Sequence, residues 1–182
     1  MELSNASIIK DDNPQIRVRS ENVSLPLNAE DRELLEAMYQ YVKDSQDDEL
    51  CQARDLTPSV GIAAIQLGVP KKMIAVVTEN DEGEPVEWAL VNPKIISKSV
   101  QMTGLSKGEG CLSVPGSHPG IVARPYHIKV KAYDLLSDQN VLIDAKGYEA
   151  IVLQHEIDHL SGILFYDHIR PNLNTEAMIL ID

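Results

Sequence analysis

The sequence predicts an α+β fold in which antiparallel sheets pack around one buried central helix. The segment from about Gly147 to Ser161 has helical periodicity and is apolar on both sides, which is typical of a helix enclosed by other elements. Between Met73 and Val100 the chain runs through β-type segments separated by turn residues, a pattern that favours hairpins. At 182 residues, 43% of them hydrophobic, the chain suits one domain, residues 1–182, with a sizeable core.

The other elements follow from local patterns along the chain. Residues 1–26 have no clear period and predict an extended arm. Asn28 is typical of an N-cap and begins an amphipathic helix that ends near Lys43, followed by an acidic loop at 44–50. The charged residues of this helix, Asp31 among them, are expected to face solvent. The remaining predictions are strands at 73–78, 86–91, 94–100, 121–134 and 141–143, a loop at 101–120, and terminal strands at 165–169 and 178–181.

Composition excludes several classes of protein. A formal net charge of −12 argues against a broad basic surface, so no direct binding of nucleic acid is expected. No apolar run approaches the length of a membrane span, and the first residues lack a signal-peptide pattern, so the expected compartment is the cytoplasm, with no membrane contact. The two cysteines, Cys51 and Cys111, need not pair in such a compartment.

The segment from Gln154 to Leu160 contains the pattern H-E-x-x-H on the predicted central helix. His155 and His159 differ by about 40° of rotation and about 6 Å of rise, so both imidazoles lie on one face at chelating distance. Glu156 is rotated by about 100° from His155 and lies within reach of water beside a metal, as a base next to a Lewis acid. Asp158 is expected to be solvated or to lie behind the ligands. The alternative is a chance pattern on a core helix.

Two histidines leave a tetrahedral ion short of ligands, and a catalytic site keeps one position open. Cys111 is favoured as the third ligand because flanking glycine gives its loop the freedom to approach the helix, whereas acidic neighbours would raise the pKa of Cys51. The alternative for Cys111 is a small buried apolar residue. The other candidates are His118, His127 and His168, expected to be surface or hydrogen-bonded loop histidines, and several carboxylates.

Three segments, in order, resemble the signature motifs of the peptide deformylase family. They are S-V-G-I-A-A-I-Q at 59–66, E-G-C-L-S at 109–113 and Q-H-E-I-D-H at 154–159. The second and third match in full. The first departs at Ser59, where the family has glycine, and at Ile65, where it usually has proline. The insertion near 79–87 and the ending F-Y-D-H-I resemble the longer form found in Gram-positive-type bacteria.

The resemblance implies a metal-dependent hydrolase that removes the formyl group from the N-terminal formylmethionine of newly made polypeptides. It implies that Cys111, His155 and His159 bind one divalent metal ion. Family members work best with Fe²⁺ and are often isolated with Ni²⁺, Co²⁺ or Zn²⁺. The implied partners are N-formylmethionyl peptides and nascent chains, with a transient contact at the ribosome, although the acidic end at 176–182 offers no basic contact for ribosomal RNA.

The same resemblance assigns the catalytic groups. Glu156 would transfer the proton, while the Gln66 side chain and the backbone N–H of Leu112 would hold the oxyanion. The chemistry is coherent, because formamide hydrolysis needs a base, an oxyanion stabiliser and a proton for the leaving amine.

A substrate pocket is expected beside the histidines. Three side chains of the predicted helix flank its ligand face and suit an apolar wall for a methionine side chain, the alternative being ordinary core residues. Small residues in the first two motifs let another backbone approach closely. The expected substrate-binding residues are Val60, Gly61, Gly110, Tyr148, Ile151 and Val152.

Two other functions compete with this one. A metallopeptidase also uses H-E-x-x-H but usually takes a carboxylate or histidine as its third ligand. A non-catalytic relative is conceivable because of Ser59 and Ile65, yet a structural zinc site would need neither Glu156 nor Gln66. Activity is therefore expected, with a reduced rate or an altered substrate preference.

Overall fold

The computed structural model describes Met1–Asp182 and confirms the α+β fold. Its helices are α1 (Ala29–Asp44), α2 (Asp48–Arg54) and α3 (Gly147–His159), with 3₁₀ turns at Asn5–Ser7, Pro14–Arg17, Ala64–Leu67 and Phe165–His168. Its strands are β1 (Gly61–Ala63), β2 (Met73–Glu79), β3 (Pro85–Lys98), β4 (Met102–Leu105), β5 (Arg124–Pro125), β6 (His127–Asp134), β7 (Gln139–Lys146) and β8 (Ile179–Ile181). None of the helices is long and apolar enough to cross a lipid bilayer.

The strands form two sheets. The larger has the order β1-β2-β3-β6-β7, and every neighbouring pair in it is antiparallel. The smaller has the order β5-β4-β8, in which β4 pairs antiparallel with β5 but parallel with β8. The predicted antiparallel arrangement therefore holds for every pair except this last one.

Strand β2 separates the two hydrophobic cores. Because successive side chains of a strand point to opposite faces, Ile74 and Val76 join the core that contains α3, whereas Met73 and Ala75 join the core that contains α1. These four residues are fully buried. Helices α1 and α3 consequently cover opposite faces of the larger sheet, and α3 packs across β1 and β2.

Helix α1 begins as its sequence predicts. The side chain of Asn28 accepts a hydrogen bond from the N–H of Asp31 at 2.7 Å, and the helix ends at Asp44, one residue beyond the predicted end. The solvent-facing prediction is wrong for Asp31, which is only 5% exposed. Its carboxylate lies 2.5 Å from Nζ of Lys71, so a cation compensates its burial.

Several irregular segments differ from the sequence predictions. The predicted loop at 44–50 leads into α2, whose first turn is capped by Asp47 accepting from the N–H of Leu50. The predicted strand at 165–169 is a 3₁₀ turn, because the carboxylate of Asp167 accepts from the N–H of Leu164 and closes a local turn instead of a ladder.

Five further predictions differ from the observed elements. The arm at 1–26 contains two 3₁₀ turns, the predicted strands at 86–91 and 94–100 are one strand, β3, with register shifts, and the predicted loop at 101–120 includes β4. The predicted strand at 121–134 is divided into β5 and β6, and that at 141–143 extends into β7.

Candidate metal centre and active site

Helix α3 carries the H-E-x-x-H pattern through the interior. It begins at Gly147, whose φ of +60° suits glycine, and its end is followed by Gly162 at φ +71°. A Cβ atom at Gly162 would lie 2.3 Å from the carbonyl oxygen of Arg17, so only glycine allows the chain to leave the helix here. The predicted helix, with glycine as its stop, is confirmed to within two residues.

Three soft donors converge beside this helix. One ligand atom each from Cys111, His155 and His159 lies within 4.8 Å of the others, and Sγ of Cys111 is 3.4 Å from Nε2 of His159. A thiolate with two imidazoles is a donor set that suits zinc, iron, nickel or cobalt, so the residues fit a metal ion. The other cysteine, Cys51, instead donates its Sγ–H to the carbonyl of Ser45 at 2.8 Å.

A series of connected buried polar groups lies behind these three donors. Nδ1 of His155 is 2.8 Å from Oε1 of Glu109, and Arg124 grips the Glu109 carboxylate with two bonds of 2.7 and 2.9 Å. Arg124 also donates to Oδ2 of Asp158 at 2.9 Å, and that oxygen lies 2.8 Å from Nε2 of His168. Asp158 is therefore not a ligand, as expected, and His168 is a hydrogen-bonded histidine.

The charges of these buried polar groups balance one another. Burial raises the pKa of Glu109, but the hydrogen bonds from His155 and Arg124 outweigh burial and bring it down to about 2. An ionised Glu109 accepts a hydrogen bond from the Nδ1–H group of His155, so the Nε2 atom of His155 carries no proton and is free to bind a metal. The sequence did not reveal the roles of Glu109 and Arg124, although the position of Glu109 two residues before Cys111 was a usable clue.

Glu156 is a buried carboxyl group without a strong partner. Its side chain is 4% exposed, and Oε2 makes no hydrogen bond. Burial raises the pKa of Glu156 to about 7, even though the charges of His155 and Arg124 oppose the rise. A Cβ atom at Gly61 would lie 2.8 Å from Cγ of Glu156, so glycine at that position provides the room for this carboxyl group. A group that titrates near neutrality can both accept and return a proton.

Two hydrogen-bond donors lie beside the Cys111 side chain. The N–H of Ala63 donates to Oε1 of Gln66 at 2.9 Å, which turns the amide nitrogen toward Oγ of Ser113 at 3.1 Å and Sγ of Cys111 at 3.5 Å. The backbone N–H of Leu112 donates to no group within the protein. Gln66 is only 1% exposed, so its donor is held in place. Ser113, which sequence reasoning did not single out, completes this orientation.

An N-terminal strap, defined here as residues 9–11, ties the two donor segments together. The N–H of Ile9 donates to the carbonyl of Gln66 at 2.8 Å, and Nζ of Lys10 donates to the carbonyl of Leu112 at 2.7 Å. The strap therefore bridges the first and second motifs, a contact that no local pattern in the arm predicted.

A cavity of about 470 Å³ opens in front of these groups. Cys111, His155 and Glu156 lie on its wall, and so does Gln66. The six residues expected to bind substrate line the same cavity: Val60, Gly61, Gly110, Tyr148, Ile151 and Val152.

The sequence matches known proteins over nearly its full length. The family model for polypeptide deformylase matches residues 5–174. The peptide deformylase of Staphylococcus epidermidis is 46% identical over 91% of this chain and 90% of its own length. Peptide deformylase 2 of Bacillus subtilis (strain 168) is 46% identical over 90% of this chain and 88% of its own.

Solved structures agree with the sequence comparisons. The peptide deformylase of Ehrlichia chaffeensis in complex with actinonin superposes with a TM-score of 0.73 at 31% identity, covering 94% of this chain and 91% of that one. A probable peptide deformylase from Synechococcus phage S-SSM7 gives a TM-score of 0.71 at 34% identity, covering 89% and 98%. With a matching family model, relatives at this identity and a cavity that carries all three motifs, the chain belongs to the polypeptide deformylase family, metal-dependent hydrolases that remove the formyl group from N-terminal formylmethionine.

Proposed function

We propose that the cavity beside α3 hydrolyses the formamide bond of N-formylmethionyl peptides and releases formate. One observation carries the proposal: the three donors of Cys111, His155 and His159 lie within 4.8 Å of one another, and Cys111 and His155 line the same cavity as Glu156. Hydrolysis of an unactivated amide needs a Lewis acid beside a base whose pKa lies near neutral pH.

Cys111, His155 and His159 would hold one divalent ion, which we propose to be Fe²⁺ in the cell. A bound divalent ion polarises a carbonyl oxygen and activates water near neutral pH. Glu109 supports this role by fixing the tautomer of His155. It accepts a hydrogen bond from Nδ1–H, so the unprotonated Nε2 is the atom available to the metal.

Glu156 moves the proton in this mechanism. It takes a proton from the water that adds to the formyl carbon and then gives it to the leaving amine as the C–N bond breaks. Its pKa of about 7, raised by burial, suits both directions of transfer. The unpartnered Oε2 supports the assignment, since no other protein group competes for that oxygen.

Gln66 and Leu112 would stabilise the charge that develops on the formyl oxygen. The Gln66 amide is preoriented by Ala63 and Ser113, and the Leu112 N–H has no partner in the protein. Donors held in place before the reaction need no reorganisation in the transition state.

The apolar wall of the cavity would take the methionine side chain. Ile151 and Val152 are 2% and 5% exposed and lie on the turns of α3 before His155, and Tyr148 extends the same wall. Across the cavity, Val60, Gly61 and Gly110 would face the substrate backbone, where small residues allow close approach.

The cellular setting follows from this substrate. We propose that residues 1–182 act as one catalytic domain in the cytoplasm, where formylated nascent chains are made, with transient contact at the ribosome. The match of one family model to residues 5–174 supports the single domain. Sedimentation with translating ribosomes, compared with salt-washed ribosomes lacking nascent chains, tests the contact.

The decisive experiment measures formate release from a formyl-methionyl tripeptide with protein loaded anaerobically with ferrous iron or nickel. Release is expected for the formylated peptide only, and acetylated and unmodified peptides identify a metallopeptidase if they are cleaved. A Glu156→Ala variant should retain the metal and lose turnover. Absence of release from a folded, fully metallated protein would instead favour the non-catalytic alternative.

A further inference from the structure

The hydroxyl group of Ser59 occupies both polar groups of the backbone at Gly61. Oγ of Ser59 donates to the carbonyl oxygen of Gly61 at 2.7 Å and accepts from its N–H at 3.2 Å. Ser59 stands where the deformylase motif has glycine, so a chain with the usual residue has no side chain to make these bonds. Ser59 and Gly61 both line the cavity that contains the metal ligands.

Gly61 presents these groups at an open sheet edge. Strand β1 is the outermost strand of the larger sheet, and only β2 pairs with it. The N–H of Val77 donates to the carbonyl of Val60 at 3.0 Å, and ladder bonds in an antiparallel pair fall on alternate residues. The N–H and C=O of Gly61 therefore point away from β2 toward the cavity. An extended peptide adds to a sheet through such free edge groups.

The backbone of Ser59 is itself anchored, so the hydroxyl group can leave without moving the chain. The N–H of Ser59 donates to Oγ of Ser45 at 3.1 Å, and its carbonyl accepts from Nε2 of Gln46 at 3.0 Å. Rotation about the single χ1 torsion of Ser59 releases both groups of Gly61, while the bonds to Ser45 and Gln46 persist.

We infer that the Ser59 hydroxyl is a displaceable cap on the Gly61 edge, one that a formylated peptide must displace in order to bind along β1. This inference rests on the proposed function. The cap acts on binding: it competes with the peptide backbone for the same two groups and touches neither Glu156 nor the metal ligands. Ser59 is therefore a specificity-determining residue that raises KM, most of all for short peptides with few other contacts.

The size of the effect follows from the strength of neutral hydrogen bonds. Each such bond contributes modestly because water replaces it when it breaks, so removing the cap is expected to lower KM about three- to tenfold. The kcat of a variant without the cap is expected to stay within about twofold of the parent value, because the Ser59 hydroxyl makes no contact with Gly61 once the peptide is bound.

The test compares KM and kcat of nickel-loaded parent and Ser59→Ala for a formyl-methionyl tripeptide. Ser99→Ala is the matched control, because Oγ of Ser99 likewise joins a backbone N–H, of His127, to a carbonyl, of Gln101, away from the cavity. Ser59→Thr restores a hydroxyl group and is expected to return KM toward the parent value. An equal or higher KM for Ser59→Ala overturns the inference.

A second measurement separates this inference from the proposed function. Amide hydrogen exchange at Gly61, followed by NMR in the peptide-free protein, is expected to be faster in Ser59→Ala than in the parent and unchanged in Ser99→Ala. Equal exchange in parent and Ser59→Ala shows that no cap exists, whatever the activity. Faster exchange without any formate release supports the cap and counts against the deformylase proposal alone.

Discussion

The Oε1 atom of Glu109 lies 2.8 Å from Nδ1 of His155, so one buried carboxylate sets the tautomer of a proposed metal ligand. Glu109 is held in turn by the two-pronged contact with Arg124. The orientation of the His155 imidazole thus depends on the loop that carries Glu109, on β5, which carries Arg124, and on α3. All three elements hold the imidazole in place.

Replacing Glu109 with glutamine is expected to weaken metal binding about 10- to 100-fold, because a neutral amide accepts more weakly from Nδ1 and no longer balances Arg124. Metal retained at a series of chelator concentrations measures the loss. Glu82→Gln, in the exposed turn between β2 and β3, is the matched control. Equal retention by the two variants would show that Glu109 has no part in holding the ligand.

Gln66→Ala removes one of the two proposed oxyanion donors. The loss of one such donor costs about 3–4 kcal/mol of barrier, so kcat is expected to fall by roughly two to three powers of ten. Formate release at saturating peptide measures it, and Gln139→Ala, exposed in β7, controls for the substitution. A rate within about threefold of the parent would remove Gln66 from the mechanism.

Lys10→Met tests the N-terminal strap. The bond from Nζ of Lys10 to the carbonyl of Leu112 fixes the loop that carries the second oxyanion donor. Methionine keeps the length of the chain but loses the donor, and kcat is expected to fall about three- to tenfold. Lys131→Met changes an exposed lysine of β6 that makes no side-chain contact and should leave turnover at the parent level. Indistinguishable rates for both variants would make the strap irrelevant to catalysis.

Ile151→Ala tests the proposed methionine pocket. Enlarging the apolar wall removes contacts with the substrate side chain, which are worth about 1–3 kcal/mol for a change of this kind. The ratio of kcat/KM for formyl-methionyl over formyl-alanyl peptides should therefore fall by about tenfold or more. Leu153→Ala, equally buried on α3 but away from the cavity, should lose stability while keeping the ratio. A preserved ratio in Ile151→Ala would mean that the residue serves only the core.

Asp167 links Arg17 in the N-terminal region to the segment that follows α3, through contacts that depend on pH. Burial raises the pKa of Asp167, but the hydrogen bonds from Arg17 and from the N–H of Leu164 outweigh burial and bring it below its ordinary value. A lowered carboxyl pKa stabilises the fold above the unfolded value and loses that effect as pH falls. The side chains of Arg17 and Asp167 are 42% and 35% exposed, so water screens their ion pair. Its contribution to the free energy of unfolding at pH 7 is therefore at most about 1 kcal/mol.

Asp167→Asn should accordingly lower the free energy of unfolding at pH 7 and approach the parent as pH falls through the lowered pKa of Asp167, because both side chains are then neutral. Urea unfolding at several pH values measures the difference. A gap that persists unchanged at low pH would assign the effect to packing.

The sequence predicted the parts of this structure that depend on local periodicity. Helix α3 was recognisable because it is apolar on both faces, and its glycine stop was predicted with it. The start of α1 at Asn28 was also predictable, because an N-cap residue followed by an amphipathic pattern is a local signal. Helix α2 was missed because its acidic composition resembles a loop, although Asp47 is a good N-cap.

The proposed catalytic side chains could be selected from motifs, but the residues that hold them in place could not. Arg124 lies far from every motif and reaches Glu109 and Asp158 only through the fold. Lys10 meets Leu112 across 102 positions of sequence. Contacts of this kind leave no local pattern, because they arise from how β5 and the strap are placed by the sheets.

The strap has a consequence for the order in which the protein matures. Its partners lie in two segments far along the chain, and the thiol of Cys111 meets His159 across 48 positions, so the contacts that bring the three motifs together are distant in sequence. Chains dominated by distant pairings gain them late, after most of the entropy of loop closure has been lost. A nascent copy of this protein therefore has no partly competent stage: until His159 has emerged and the strap has met Gln66 and Leu112, it can neither hold a metal tightly nor act on another chain.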